Sequence, residues 1–167
     1  MPRRALGAVL LLASILAALL TSAVASAPAA AATPPTLIRL VSVTTAESSV
    51  DVKPQKASPG DHESFASRLL NERPQFSRKK GAVVGSDSGT LRLTKQMVAV
   101  FKVVARLPGG TIRVEGTLKP VGKGGYAIAV VGGTGLFEGV HGSLTIVAPI
   151  DPKTAVNIYR LTYPLTA

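Results

Sequence analysis

From Thr36 onward the sequence predicts an all-β domain, an eight-stranded antiparallel up-and-down barrel, and three observations carry that expectation. Almost no stretch shows the 3.6-residue apolar period of a helix, whereas short runs rich in Val, Ile and Thr recur, bounded by Gly and Pro. About eight such runs follow one another through short turns, a meander that closes naturally into a small barrel. The chain holds no Cys, so the fold has to be held by its core alone. A two-sheet sandwich satisfies the same pattern and stands as the rival architecture.

The 167 residues are enough for one domain. The N-terminal block is set aside first. Arg3 and Arg4 form a positive region, Ala5 to Leu20 is an apolar run, and Ala23-Val24-Ala25 supplies small residues for cleavage, the pattern of a signal peptide over residues 1–25. The run of 16 residues falls short of the roughly 20 that a spanning helix needs. Export to a secreted, extracellular location is expected. Ser26 to Pro35 (SAPAAAATPP) is low in complexity and reads as a disordered spacer, which leaves 36–167 as the barrel domain. Of 19 Lys and Arg, removing Arg3 and Arg4 leaves 17 against 9 Asp and Glu, a formal +8 for the mature chain.

The strands follow in order. Leu37 to Thr45 (LIRLVSVTT) is the first, Val50 to Asp61 with Pro54, Pro59 and Gly60 a connection, and His62 to Leu70 the second, for which a helical reading stays open. Asn71 to Arg78 with Pro74 is a loop. Lys79 to Thr94 is a strand in which Gly85 and Gly89 predict a bulge or sharp bend. Met97 to Leu107, Pro108-Gly109-Gly110 and Thr111 to Leu118 make a hairpin, with Met97, Ala99, Phe101, Val103, Ala105 and Leu107 on one wholly apolar face. Tyr126 to Val131, His141 to Val147 and Ala155 to Tyr163 complete the set.

The segment Ile128-Ala129-Val130-Val131-Gly132-Gly133-Thr134-Gly135-Leu136-Phe137-Glu138-Gly139-Val140-His141-Gly142 resembles the allene oxide cyclase and dirigent barrel superfamily. The resemblance extends, in order, through Pro59-Gly60-Asp61, Phe65-Ala66-Ser67-Arg68-Leu69, Val84-Gly85 and Gly110-Thr111-Ile112-Arg113-Val114-Glu115-Gly116, covering nearly all of Leu37 to Tyr163. It implies an eight-stranded barrel that forms trimers or dimers and holds an apolar oxygenated ligand inside. Physically, three glycines in Gly132-Gly133-Thr134-Gly135 permit a sharp turn and close packing. A phosphate loop would need a helix after them, and a strand follows instead.

Plant allene oxide cyclases carry a Glu and an Asn two residues apart near the end of the first strand, an Asn after Phe-Ser on the second and a Cys beyond Val-Gly on the third. Here Ser67 stands at that Asn position and Leu91 at the Cys position, and the nearest match to the Glu and Asn is Glu47 with Ser49. Dirigent proteins typically place Arg where this chain has Glu138 and His141. The resemblance implies a pocket lined by Phe65, Ser67, Leu91 and Leu118, three as apolar wall and Ser67 as hydrogen-bonding anchor. Glu47 is a candidate catalytic group; a solvated turn carboxylate is its other reading.

His62 and His141 are the only imidazoles, and no spacing of His or carboxylates fits a metal site, so neither metal nor other cofactor is expected. No Gly-x-Ser-x-Gly elbow supports a hydrolase. Arg78-Lys79-Lys80 is the densest basic run. With 4% aromatic residues offering few stacking platforms, nucleic acid is not expected as a partner; a solvated face or contact with an anionic cell-surface polymer is. Two functions fit: a cofactor-free isomerase or cyclase that binds an apolar oxygenated molecule and directs its ring closure or coupling, and a non-catalytic binding or structural module at the cell surface. A desolvated ionisable group inside the barrel would favour the first.

Overall fold

A computed structural model describes residues 33–52, 57–121, 125–151 and 153–165, with side chains of 148–151 outside the description. The expected signal peptide and most of the spacer lie outside the described residues.

Nine strands run in chain order: β1 (Leu37–Val50), β2 (His62–Asn71), β3 (Val83–Leu93), β4 (Ala99–Leu107), β5 (Gly110–Thr117), β6 (Lys119–Val121), β7 (Gly125–Gly135), β8 (His141–Asp151) and β9 (Thr154–Thr162). Every hydrogen-bonded neighbour is antiparallel, in the order β5-β4-β3-β2-β1-β9-β8-β7-β6, and β5 also pairs with β7. That extra pairing joins the edges, so the sheet is a closed barrel and the sandwich is excluded. Because β5 and the short β6 pair with successive parts of β7, they act as one strand interrupted at Leu118, which gives eight staves. Among the described residues no helix occurs, and the helical reading of His62 to Leu70 gives way to β2.

Alternation decides what faces inward. Ile38, Leu40 and Ser42 on β1, Ser67, Leu69 and Asn71 on β2, Phe101, Val103, Ala105 and Leu107 on β4, and Asn157, Tyr159 and Leu161 on β9 are buried at every second position. The barrel has two unlike ends. At the base, where β1 starts and β2 stops, the lumen is filled: the turn after β7 folds Phe137 and Val140 into the core, both with no exposed surface, against Ile38, Leu40, Leu69, Ile112 and Leu161. The glycines before that turn make it feasible. A Cβ on Gly133 would lie 2.5 Å from the carbonyl oxygens of Phe137 and Thr111, and Gly135 sits at φ 63°.

Asn71 ties down the turn between β2 and β3. Its buried amide Nδ2 donates to the carbonyls of Gln75 at 2.8 Å and Arg78 at 3.1 Å, while Gln75 exchanges bonds with both the N–H and the carbonyl of Arg39. One sequence expectation shifts here. Met97 is not the first inward residue of a strand: it adopts φ 58° in a turn closed by its N–H donating to the Thr94 carbonyl at 2.9 Å, and it is 47% exposed. The inner face of the hairpin begins at Ala99. The third strand begins at Val83 rather than Lys79, and the bulge expected near Gly85 is there: Leu69 pairs with Gly85 and Leu70 with Val83, which leaves Val84 as the extra residue.

Candidate functional site

The other half of the barrel, toward the end where β1 stops and β2 starts, is less completely filled. A cavity of about 390 Å³ lies there, lined by inward positions of six strands: Ser42, Thr44 and Glu47 of β1; Glu63, Phe65 and Ser67 of β2; Asp87 of β3; Phe101 and Val103 of β4; Leu144 and Ile146 of β8; and Ala155 and Asn157 of β9. It is two-sided in character, apolar along β4 and β8 and polar along β1 to β3.

Register explains who reaches it. Thr44 pairs with Ser67, Ala46 with Ala66 and Glu47 with Phe65, so Thr45 is an extra residue, a bulge in β1. Strict alternation from Ile38 would point Glu47 outward; the bulge absorbs one residue and brings Glu47 to the face that carries Phe65. On β3, Gly89 lies opposite Phe65, and a Cβ there would come within 3.1 Å of Phe65 Cζ. The missing side chain seats the Phe65 ring, which stacks on Phe101 with centroids 5.6 Å apart and planes 20° from parallel.

Asp87 lies directly across from Ser67 and is 3% exposed. Burial pushes its carboxyl up to about 6, against the hydrogen-bonding side chains of Ser67 and Ser42, which draw it back down. Its Oδ1 has no hydrogen-bond partner among the described residues, nor has the hydroxyl of Tyr159, which is fully buried. Burial and the nearby Asp87 charge raise the Tyr159 phenol far above its ordinary range. Nearer the rim, burial first and the charge of Glu47 second raise the Glu63 carboxyl. A buried carboxyl held near neutrality on the wall of this cavity can give or take a proton, and the hydroxyls of Ser42 and Ser67 beside it can orient an oxygen-bearing ligand.

Of the residues singled out from the sequence, Glu47, Phe65 and Ser67 meet in this cavity. Leu91 lies at the rim, opposite Glu63 and Phe101, in a shallow groove with Asp61 and His62. Leu118 packs against the core between β5 and β6 and does not line the cavity. Sequence reasoning missed Ser42, Glu63, Asp87, Asn157 and Tyr159. A signal for Asp87 existed: it sits two residues from Gly85 and two from Gly89, the lone carboxylate of its strand, between Val-Val-Gly-Ser and Ser-Gly-Thr-Leu.

No protein-family model matches the sequence, and no curated protein matches it. Solved structures do. Pyocyanin demethylase is 21% identical with a TM-score of 0.62, over 75% of this chain and 99% of that one. A pterocarpan synthase dirigent protein is 17% identical with a TM-score of 0.55, over 79% and 87%. A Diels-Alderase from Streptomyces koyangensis is 16% identical with a TM-score of 0.59, over 78% and 68%. At such identities the likeness is one of fold. The chain has the closed eight-stranded barrel of the dirigent and cyclase-type proteins.

Proposed function

We propose that this is an exported, cofactor-free barrel that binds a small oxygenated molecule with an apolar body in the open end and directs its ring closure. One observation carries the reading: the desolvated Asp87 carboxyl, poised near neutral pH on the wall of a cavity of ligand size. Its acid form delivers a proton to a carbonyl or epoxide oxygen while the ring closes, and its carboxylate recovers one from the product carbon framework. The sum is an isomerisation, balanced in protons and electrons. Holding one folded conformer away from water supplies the rest of the acceleration. That solved structures of the same fold include a dirigent protein and a Diels-Alderase supports the class of chemistry.

In this reading Ser67 anchors the ligand oxygen, Phe65 forms apolar wall, Leu91 borders the entrance, Leu118 braces the wall from behind and Glu47 is a rim carboxylate. Homo-oligomerisation as a trimer or dimer, secretion with cleavage after Ala25, and contact of Arg78-Lys79-Lys80 with an anionic cell-surface polymer belong to the same proposal. The test is native mass spectrometry of protein recovered from the medium, followed by incubation with whatever small molecule co-purifies. A ligand of a few hundred daltons that wild type converts and Asp87→Asn converts about 100-fold more slowly is the expected result. Equal rates in the two proteins would remove Asp87 from the chemistry. A ligand bound but never converted, or an empty monomer, would leave the non-catalytic module.

A further inference from the structure

The charge of the cavity runs against the charge of the chain. The protein carries 19 Lys and Arg against 9 Asp and Glu, yet three carboxylates, Glu47, Glu63 and Asp87, line the cavity, and no Lys, Arg or His does. Among the described residues none of the three has an ion-pair partner; the ion pairs there join Arg39 to Glu72 and Lys102 to Glu115. Glu47 is exposed and Glu63 half-buried at the rim, while the buried Asp87, uncompensated when ionised, costs the fold stability. Asp87 among them is all but fully buried on the cavity wall, and its Oδ1 has no hydrogen-bond partner among the described residues. On the same wall, Phe65 lies between Glu63 and Ser67 on β2 and pairs with Glu47, and its ring stacks on Phe101 to put a flat apolar patch beside the carboxylates.

From this arrangement we infer that the ligand is a cation: an apolar, ring-bearing body with a protonated amine or a cationic ring nitrogen, whose charge lies among Glu47, Glu63 and Asp87 and whose body lies against Phe65 and Phe101. The inference rests on the ligand-binding reading above and names the charge class that reading leaves open. A cation satisfies the unpartnered Asp87 oxygen, relieves the repulsion between Glu47 and Glu63, and gains from the ring faces. An anion would meet three carboxylates and no compensating base.

Three probes with one naphthyl body separate the possibilities: 1-naphthylmethylamine, 1-naphthalenemethanol and 1-naphthoate, titrated into the purified protein at about pH 7.5 and followed by the amide resonances of Phe65, Ser67 and Asp87. The amine should bind about tenfold more tightly than the alcohol, and the naphthoate most weakly. Adsorption to the basic exterior would give the reverse order, so it cannot imitate this result. Glu47→Gln and Glu63→Gln should each reduce the amine's advantage about threefold or more while leaving the alcohol within twofold. An alcohol that moves the cavity resonances and binds as tightly as the amine would overturn the cation inference and leave the cavity reading standing; a naphthoate that binds tightest would do the same. Amine binding unchanged in both Gln variants would place it elsewhere and also overturn the inference. Failure of every probe to move those resonances would count against the cavity reading itself.

Discussion

Asp87 is the residue at which stability and function pull apart. In an unfolded chain its carboxyl titrates near the ordinary value of 3.8, and in the barrel burial holds it at about 6. A raised carboxyl favours the protonated fold, so between those two values the native state holds more protons than the unfolded one and stability falls as pH rises. The cost is complete above about pH 6, on the order of 3 kcal/mol. Asp87→Asn should therefore raise urea stability at pH 7.5 by about 1–3 kcal/mol and leave it nearly unchanged at pH 4. Glu63, Asp61 and Glu72 also titrate with displaced values, which is why the difference between wild type and Asp87→Asn, rather than the wild-type profile, is the quantity to measure. A variant less stable than wild type at pH 7.5 would mean that the carboxylate is a structural hydrogen-bond acceptor. Asn71 behaves oppositely: its amide holds the turn after β2 through carbonyls that no other described side chain reaches, so Asn71→Ala should cost about 2–3 kcal/mol by the same assay.

At the scale of elements, what the sequence made legible was what alternation and glycine encode. The strands follow because inward positions are apolar at every second residue; the sharp turn expected at Gly132-Gly133-Thr134-Gly135 comes instead just after it, at 136–139, and Gly133 and Gly135 end β7 as glycines because a Cβ there would meet backbone oxygens. Phe137 in that turn plugs the base with no exposed surface; Phe137→Ala should lower stability by about 3–5 kcal/mol in thermal or urea unfolding, and a loss under 1 kcal/mol would mean the plug is dispensable. The site was legible only in part. Phe65 and Ser67 sit in a regular strand, so their placement needs only period two. Glu47 needs the bulge at Thr45, which no local signal marks, since Thr-Thr-Ala is unexceptional in a strand. Met97 misled for a related reason: it fits the parity of the strand that follows it, and only the backbone bonds of Thr94 to Met97 and Val98 reveal the turn. Asp87 acquires its character from Ser67 across the sheet and from the closure of the barrel, both long-range facts.

Over the whole molecule the two ends of the barrel differ in charge as well as in filling. At the open end Glu47, Asp51, Asp61 and Glu63 are matched in number by Arg92, Lys95, Lys119 and Lys153, whereas Arg73, Arg78, Lys79 and Lys80 gather in the turn after β2 at the filled end, where all four are exposed. That exposed basic turn gives the barrel an electrostatic handle: near a negatively charged surface the filled end is the one drawn in, leaving the cavity at the other end accessible. The proposed adhesion and the proposed ligand binding would then be independent properties of opposite ends. Replacing Arg78, Lys79 and Lys80 together by Gln should make the protein elute from a polyanionic resin at distinctly lower salt, because three charges leave the contacting face. The same variant should bind a cavity probe within twofold of wild type, since none of the three residues lines that cavity. Elution at unchanged salt would show that the positive charge acts through the barrel wall as a whole, and a weakened probe would show that the two ends are coupled through the strands that join them.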